Sequence, residues 1–138
     1  MSPNNRIVSV VEDDPSNTLF YQEALKQFHG ITIVTFADPV SALEHFHEYE
    51  YAYVLIITDL KLQGLDGMEF LKKVKDINPY VRTILITATF RIDDKVLQNY
   101  IKQKIINGFV QKPIGLHDFL KEVDTQLQSY EIQKKYPY

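Results

Sequence analysis

The amino-acid sequence predicts an α/β domain: a doubly wound (βα)5 fold on a five-stranded parallel sheet. Two observations carry that prediction. Five short runs rich in β-branched residues alternate with five longer stretches of helical period, and the third run is apolar at nearly every position. Alternation implies βαβ units, whose right-handed crossovers place helices on both faces of a parallel sheet. A strand apolar throughout suits a position covered on both faces.

The strands are expected at Ile7–Val11, Ile31–Thr35, Tyr53–Ile57, Thr83–Thr87 and Gly108–Val110. Leu19, Phe20, Ala24, Leu25 and Phe28 recur at steps suited to one helical face, as do Val40, Leu43, Phe46 and His47. Met68, Leu71 and Val74 mark a third helix, and Val96, Leu97, Tyr100 and Ile101 a fourth. Leu116, Phe119, Leu120, Val123 and Leu127 mark the fifth. Asp14-Pro15 and Asp38-Pro39 each place a capping aspartate before a proline suited to the first helical position.

A chain of 138 residues gives one domain with a proper core, expected over residues 1–128, followed by a tail, 129–138. An apolar fraction of 45% and a charged fraction of 24% are those of an ordinary soluble globular protein. The longest apolar stretch, Tyr51–Ile57, is too short to span a bilayer, so no membrane role is expected. Met1–Arg6 lacks the features of a secretory signal, which favours the cytoplasm. With no cysteine there is neither a disulfide framework nor thiolate chemistry. A net charge of −3 provides no field for polyanions, and direct DNA binding is not expected.

In doubly wound sheets the ligand site lies at the carboxyl ends of the strands. There stand Glu12-Asp13-Asp14 after the first strand, Thr58-Asp59 after the third, Thr87-Ala88-Thr89 after the fourth and Gln111-Lys112-Pro113 after the fifth. Carboxylates converging from two strand ends offer hard oxygen ligands of the kind that hold Mg2+. A lysine from another end can hold a phosphoryl oxygen, and an aspartate can attack phosphorus. Taken singly, each residue has an ordinary explanation as a turn acid, a strand-ending threonine or a surface lysine. Their joint placement at one edge of one sheet makes a site.

At these residues the chain resembles the receiver domain of two-component response regulators, of flavodoxin-like fold, over nearly its whole length. The matching segments are Val10-Val11-Glu12-Asp13, Asp59-Leu60-Lys61-Leu62-Gln63-Gly64-Leu65-Asp66-Gly67, Thr87-Ala88 and Phe109-Val110-Gln111-Lys112-Pro113. The resemblance implies that Asp59 is the phosphoacceptor. It implies a site for Mg2+ (or Mn2+) made by Glu12, Asp13, Asp59 and the backbone carbonyl of Lys61. Thr87 and Lys112 would each hold a phosphoryl oxygen, and Thr87 with Phe109 would form the switch that follows phosphorylation. The Lys112-Pro113 bond is expected to be cis. Asp14, as the helix cap, leaves Glu12 and Asp13 as the metal pair.

The implied partners are a sensor histidine kinase or histidine phosphotransfer protein, and an unidentified downstream protein or a second copy of the chain. Output would leave through the fourth helix, fifth strand and fifth helix, around Arg91, Lys95, Gln98 and Lys102. No enzymatic activity is expected beyond self-catalysed aspartyl phosphorylation and dephosphorylation. Three departures stand out. Gln63 replaces a common proline, Lys104-Ile105-Ile106-Asn107-Gly108 replaces a Gly-Ala approach to the fifth strand, and Lys61 and Thr89 occupy positions that influence phosphoryl lifetime. Among rival readings, an aspartyl-nucleophile phosphatase would need a second aspartate at the position of Lys61. A nucleotide-binding module would need a glycine-rich loop after the first strand. A receiver-like interaction module that is never phosphorylated would not need the acceptor-site residues that stand here.

Overall fold

The structure, a computed structural model, describes residues 6–88 and 94–136; Thr89 and Arg91 lie outside the described residues. Its strands are β1 (Ile7–Val11), β2 (Thr32–Phe36), β3 (Tyr53–Asp59), β4 (Arg82–Thr87) and β5 (Gly108–Gln111). The helices are α1 (Pro15–Leu25), α2 (Pro39–Glu48), α3 (Gly67–Ile77), α4 (Lys95–Lys102) and α5 (Leu116–Lys135), and a 3-10 turn, Glu50–Ala52, leads into β3. All strand pairs are parallel, in the order β2-β1-β3-β4-β5. The fold class read from the sequence is the fold found.

The strand order reverses between β1 and β3, so their carboxyl ends open the crevice in which such sheets bind ligands. β3, flanked on both sides, is buried at all seven positions, as its apolar run requires. Phe46, Phe70, Leu71, Val74 and Leu97 pack on one face of the sheet. Tyr21, Leu25, Phe119, Val123 and Leu127 pack on the other. Burial of these side chains is the main favourable contribution, each worth ~1.5–3 kcal/mol.

The helix starts hold as expected. Asp14 accepts from the Ser16 backbone N–H at 2.8 Å and Asp38 from that of Ser41 at 2.8 Å. Asp66 caps α3 through Glu69 at 2.8 Å. Some faces differ from the sequence pattern. Leu19, Val40, His47, Val96 and Leu116 are exposed, whereas Tyr21, Ala42 and Phe70 fill the core. Helical period fixes a stripe only to within a residue or two, and packing on a twisted sheet selects which of several nearby apolar residues turns inward. α5 also continues through Lys135, so residues 129–135, expected as a tail, are helical. Arg6 pairs there with Glu131, and Arg82 donates to Gln133 at 3.2 Å.

Candidate functional site

The structure brings Asp59 and Lys112 together at the carboxyl edge of the sheet. Asp59 ends β3 and is 7% exposed. Lys112, one residue beyond β5, reaches it with Nζ 2.8 Å from Oδ1. Lys112 is carried there by the short β4–β5 ladder, which continues as its backbone N–H donates to the Thr87 carbonyl at 2.9 Å. Asp59, Leu60, Lys61, Thr87, Ala88 and Lys112 line a small cleft of ≈ 50 Å³. Thr87 is buried, Phe109 half-buried against the core and Lys61 exposed. The Lys112-Pro113 peptide is cis.

Glu12 is buried at the end of β1. The Asp14 backbone N–H donates to its Oε2 at 3.1 Å, while Oε1 is buried with no hydrogen-bond partner. Burial pushes the Glu12 carboxyl above its ordinary range, and the charge of Asp59 adds to the rise; the Asp14 N–H and Lys112 pull it down without cancelling the effect. Burial works against the Lys112 ammonium. The hydrogen bond and charge of Asp59, with Glu12 and Asp13, outweigh it and hold Lys112 above its usual value. The crevice is thus a nest of like charges with one cation in it.

Asp13 is exposed beside Glu12, and among the described residues no three His, Cys, Asp or Glu side chains come close enough to hold a metal ion by themselves. The donor chemistry still fits a small hard cation. Mg2+ keeps several waters and takes only one or two carboxylates directly, and Glu12 Oε1 is a buried carboxylate oxygen without a partner.

The loop after Asp59 is set by backbone contacts that sequence reasoning passed over. The Leu60 N–H donates to the Ile86 carbonyl at 2.9 Å and the Gly67 N–H to the Leu60 carbonyl at 2.8 Å. A Cβ on Gly67 would lie 2.3 Å from the Asp59 carbonyl oxygen, so only glycine lets α3 start this close to the acceptor. The Asp66-Gly67 pair was visible in the sequence, but the reason for the glycine was not.

A doubly wound sheet with an aspartate, a lysine and a threonine facing one cleft at its carboxyl edge defines the class: an α/β domain equipped to accept a phosphoryl group. The chain belongs to the response regulator receiver domain family, whose model matches residues 8–124. It is 29% identical to the 3',5'-cyclic-nucleotide phosphodiesterase regA of Dictyostelium discoideum, over 97% of this chain and 17% of that protein. It is 26% identical to the DNA-binding transcriptional regulator NtrC of Escherichia coli K12, over 94% of this chain and 26% of that protein. The chain thus spans about a quarter or less of these two relatives' lengths.

Among solved structures, a response regulator receiver domain protein of Clostridium thermocellum superposes with a TM-score of 0.80 at 21% identity, covering 92% of this chain and 98% of that one. A structure described as an adenylate cyclase of Rhodopirellula baltica gives 0.83 at 19% identity, covering 97% and 95%. At these identities the likeness is one of fold. Membership of the family carries with it phosphoryl-accepting two-component signalling. Among the described residues no helix is long and apolar enough to cross a membrane.

Proposed function

We propose that Asp59 accepts a phosphoryl group in a reaction that depends on Mg2+, and that the modified site biases the surface made by α4, β5 and α5. The observation that carries the reading is the Lys112 Nζ–Asp59 Oδ1 contact inside a cleft shared with Thr87 and Lys61. The Asp59 carboxylate forms the new P–O bond as the bond from phosphorus to the donor atom breaks, and the electron pair leaves with the donor. A histidine nitrogen of a sensor kinase or phosphotransfer protein, or the carboxylate of a small acyl phosphate, fits the donor's role. Lys112 then offsets charge on the phosphoryl oxygens, and Thr87 would hydrogen-bond another.

Glu12, Asp13, Asp59 and the Lys61 carbonyl would hold the metal. Its chemistry is neutralisation of the negative charge brought in by the phosphoryl group. Glu12 and Asp13 otherwise raise the cost of adding a further anion. Thr87 and Phe109 stand on neighbouring strands in the register Leu85↔Phe109 and Thr87↔Gln111. A hydroxyl drawn toward the phosphoryl group leaves room for the aromatic ring, a packed element with two arrangements. Lys95, Gln98 and Lys102 are exposed on α4, and a downstream protein or a second copy of the chain would meet them there.

Intact mass after treatment with acetyl phosphate tests the reading. One added phosphoryl group is expected with Mg2+, much less after chelation, and none for Asp59→Asn. Labelling of Asp59→Asn to the parent's extent would overturn the assignment.

A further inference from the structure

At the opposite end of the sheet, Lys75 near the end of α3 is half-buried and points its Nζ at oxygens that carry no charge. It lies 2.7 Å from the Val81 carbonyl, 2.8 Å from Asn107 Oδ1 and 3.3 Å from the Pro79 carbonyl. Asn107 Oδ1 also accepts the Thr83 backbone N–H at 3.0 Å. The Thr83 hydroxyl donates to the Ile105 carbonyl at 2.7 Å and accepts the Asn107 N–H at 3.1 Å. Asn107 Nδ2 closes the group on the Lys104 carbonyl at 3.4 Å, where the chain turns through a positive φ of 63°. One lysine thereby ties α3, the first turn of β4 and the segment leading into β5.

We propose that Lys75 is a positioning residue for the phosphoryl site: through Asn107 and Thr83 it holds β5 in register on β4, and so sets where Lys112 meets Asp59. This rests on the role given to Lys112 above. β5 is four residues long and lies at the sheet edge, the situation in which register is least well specified. Asn107 stands immediately before the first paired residue, in the ladder Ile84↔Gly108 to Thr87↔Gln111, and Lys112 immediately after the last. A pin at one end of so short a ladder governs the other end.

The pin is also proton-sensitive, and the groups around it give the sign. Arg82 on β4 is the charge that bears on Lys75, while Glu122 of α5 acts on Arg82. Asp76, its neighbour in α3, pairs outward with Lys72 at 3.5 Å, and Tyr80 and Lys104 belong to the flanking turns. Burial, with Arg82 in support, pulls the Lys75 ammonium down to about 7. Since the buried position favours the neutral form, protonation favours conformers in which Nζ reaches water. The latch therefore tightens as pH rises through about 7 and loosens below it.

The test is NMR on the full unphosphorylated chain, titrated from about pH 5.5 to about 8.5. Lys75 Nζ and the backbone amides of Thr83, Asn107, Gly108 and Lys112 should shift with one midpoint near 7. Lys75→Met should remove that component, leaving only the shifts due to histidines. The rate of acetyl phosphate labelling should rise severalfold more between the ends of the range in the parent than in Lys75→Met. A midpoint for Nζ in the ordinary lysine range would overturn the proposal, as would persistence in Lys75→Met of the shared-midpoint component at Thr83, Asn107, Gly108 and Lys112. Because Asp59→Asn keeps the latch, its amide titration reports on Lys75 whether or not Asp59 takes a phosphoryl group. Should Lys75→Met not fold, the Nζ midpoint in the parent decides.

Discussion

The two ends of the sheet bury charge in opposite ways. At the carboxyl end, Asp59 pairs with the Lys112 ammonium, whose charge also acts on Glu12, and a buried Glu12 oxygen remains without a partner. At the amino end, Lys75 lies among carbonyl and carboxamide oxygens, with no acid paired to it among the described residues. The first arrangement is frustrated in a way that an added cation can relieve. The second is self-sufficient and answers only to protons. The difference separates a site that does chemistry from a joint that holds the site in shape.

The largest effect expected from breaking the carboxyl end, short of removing Asp59 itself, comes from Lys112→Met. With the shared cation gone, labelling by acetyl phosphate should fall by ~10²–10³-fold, the usual consequence of losing one oriented group that offsets transition-state charge. Urea denaturation should show a loss of ~1–3 kcal/mol, because the carboxylates are left without their partner. A variant labelled at the parent's rate would remove Lys112 from the mechanism.

Gly67→Ala comes next. Its Cβ would sit 2.3 Å from the backbone oxygen of Asp59, and backbone cannot swing away as a side-chain end can. We expect a loss of ~1–3 kcal/mol in urea melts, together with slower labelling, since the acceptor is displaced. Gly30→Ala, at a positive φ of 80° in open space, makes a useful control: it is strained but distant, so it should cost stability without touching labelling.

Glu12→Gln should act in the opposite direction on stability. Because the folded-state value of Glu12 is raised above 4.5, the folded protein holds its proton more tightly than the unfolded chain does. Stability is therefore lost as pH rises through the window from about 4.5 upward and regained as it falls. The amide removes this dependence and should raise metal-free stability near neutrality, while weakening Mg2+ binding. Thermal melts with and without Mg2+ read both effects: the parent should gain from the metal and the variant should gain little.

The smallest contrast is Asp13→Asn against Asp14→Asn. Asparagine caps a helix nearly as well as aspartate, so the Asp14 substitution should change stability by under ~0.5 kcal/mol and leave Mg2+ binding intact. Asp13→Asn should weaken Mg2+ binding several-fold in a metal titration. The reverse order would move the metal pair to Asp13 and Asp14.

The sequence by itself determined the alternation of strands and helices, the capping aspartates at 14 and 38, and the residues at each strand end. These depend on local chemistry: β-branched runs, turn residues and side chains that satisfy backbone donors within a few positions. Asp59, Lys112, Thr87 and Glu12 were legible because a parallel sheet places every strand's carboxyl end at one edge. Tertiary structure alone decided which of several nearby apolar residues turned inward, as with Tyr21 buried and Leu19 exposed. It decided that α5 would run to Lys135, since the partners holding its last turns, Arg6 and Arg82, lie more than forty residues away along the chain. It decided, too, that Lys75, in sequence an ordinary surface lysine of an amphipathic helix, would find its oxygens on a strand and a loop remote from it. Contacts between distant segments have no local signature, and the latch and the close approach at Gly67 are both of that kind.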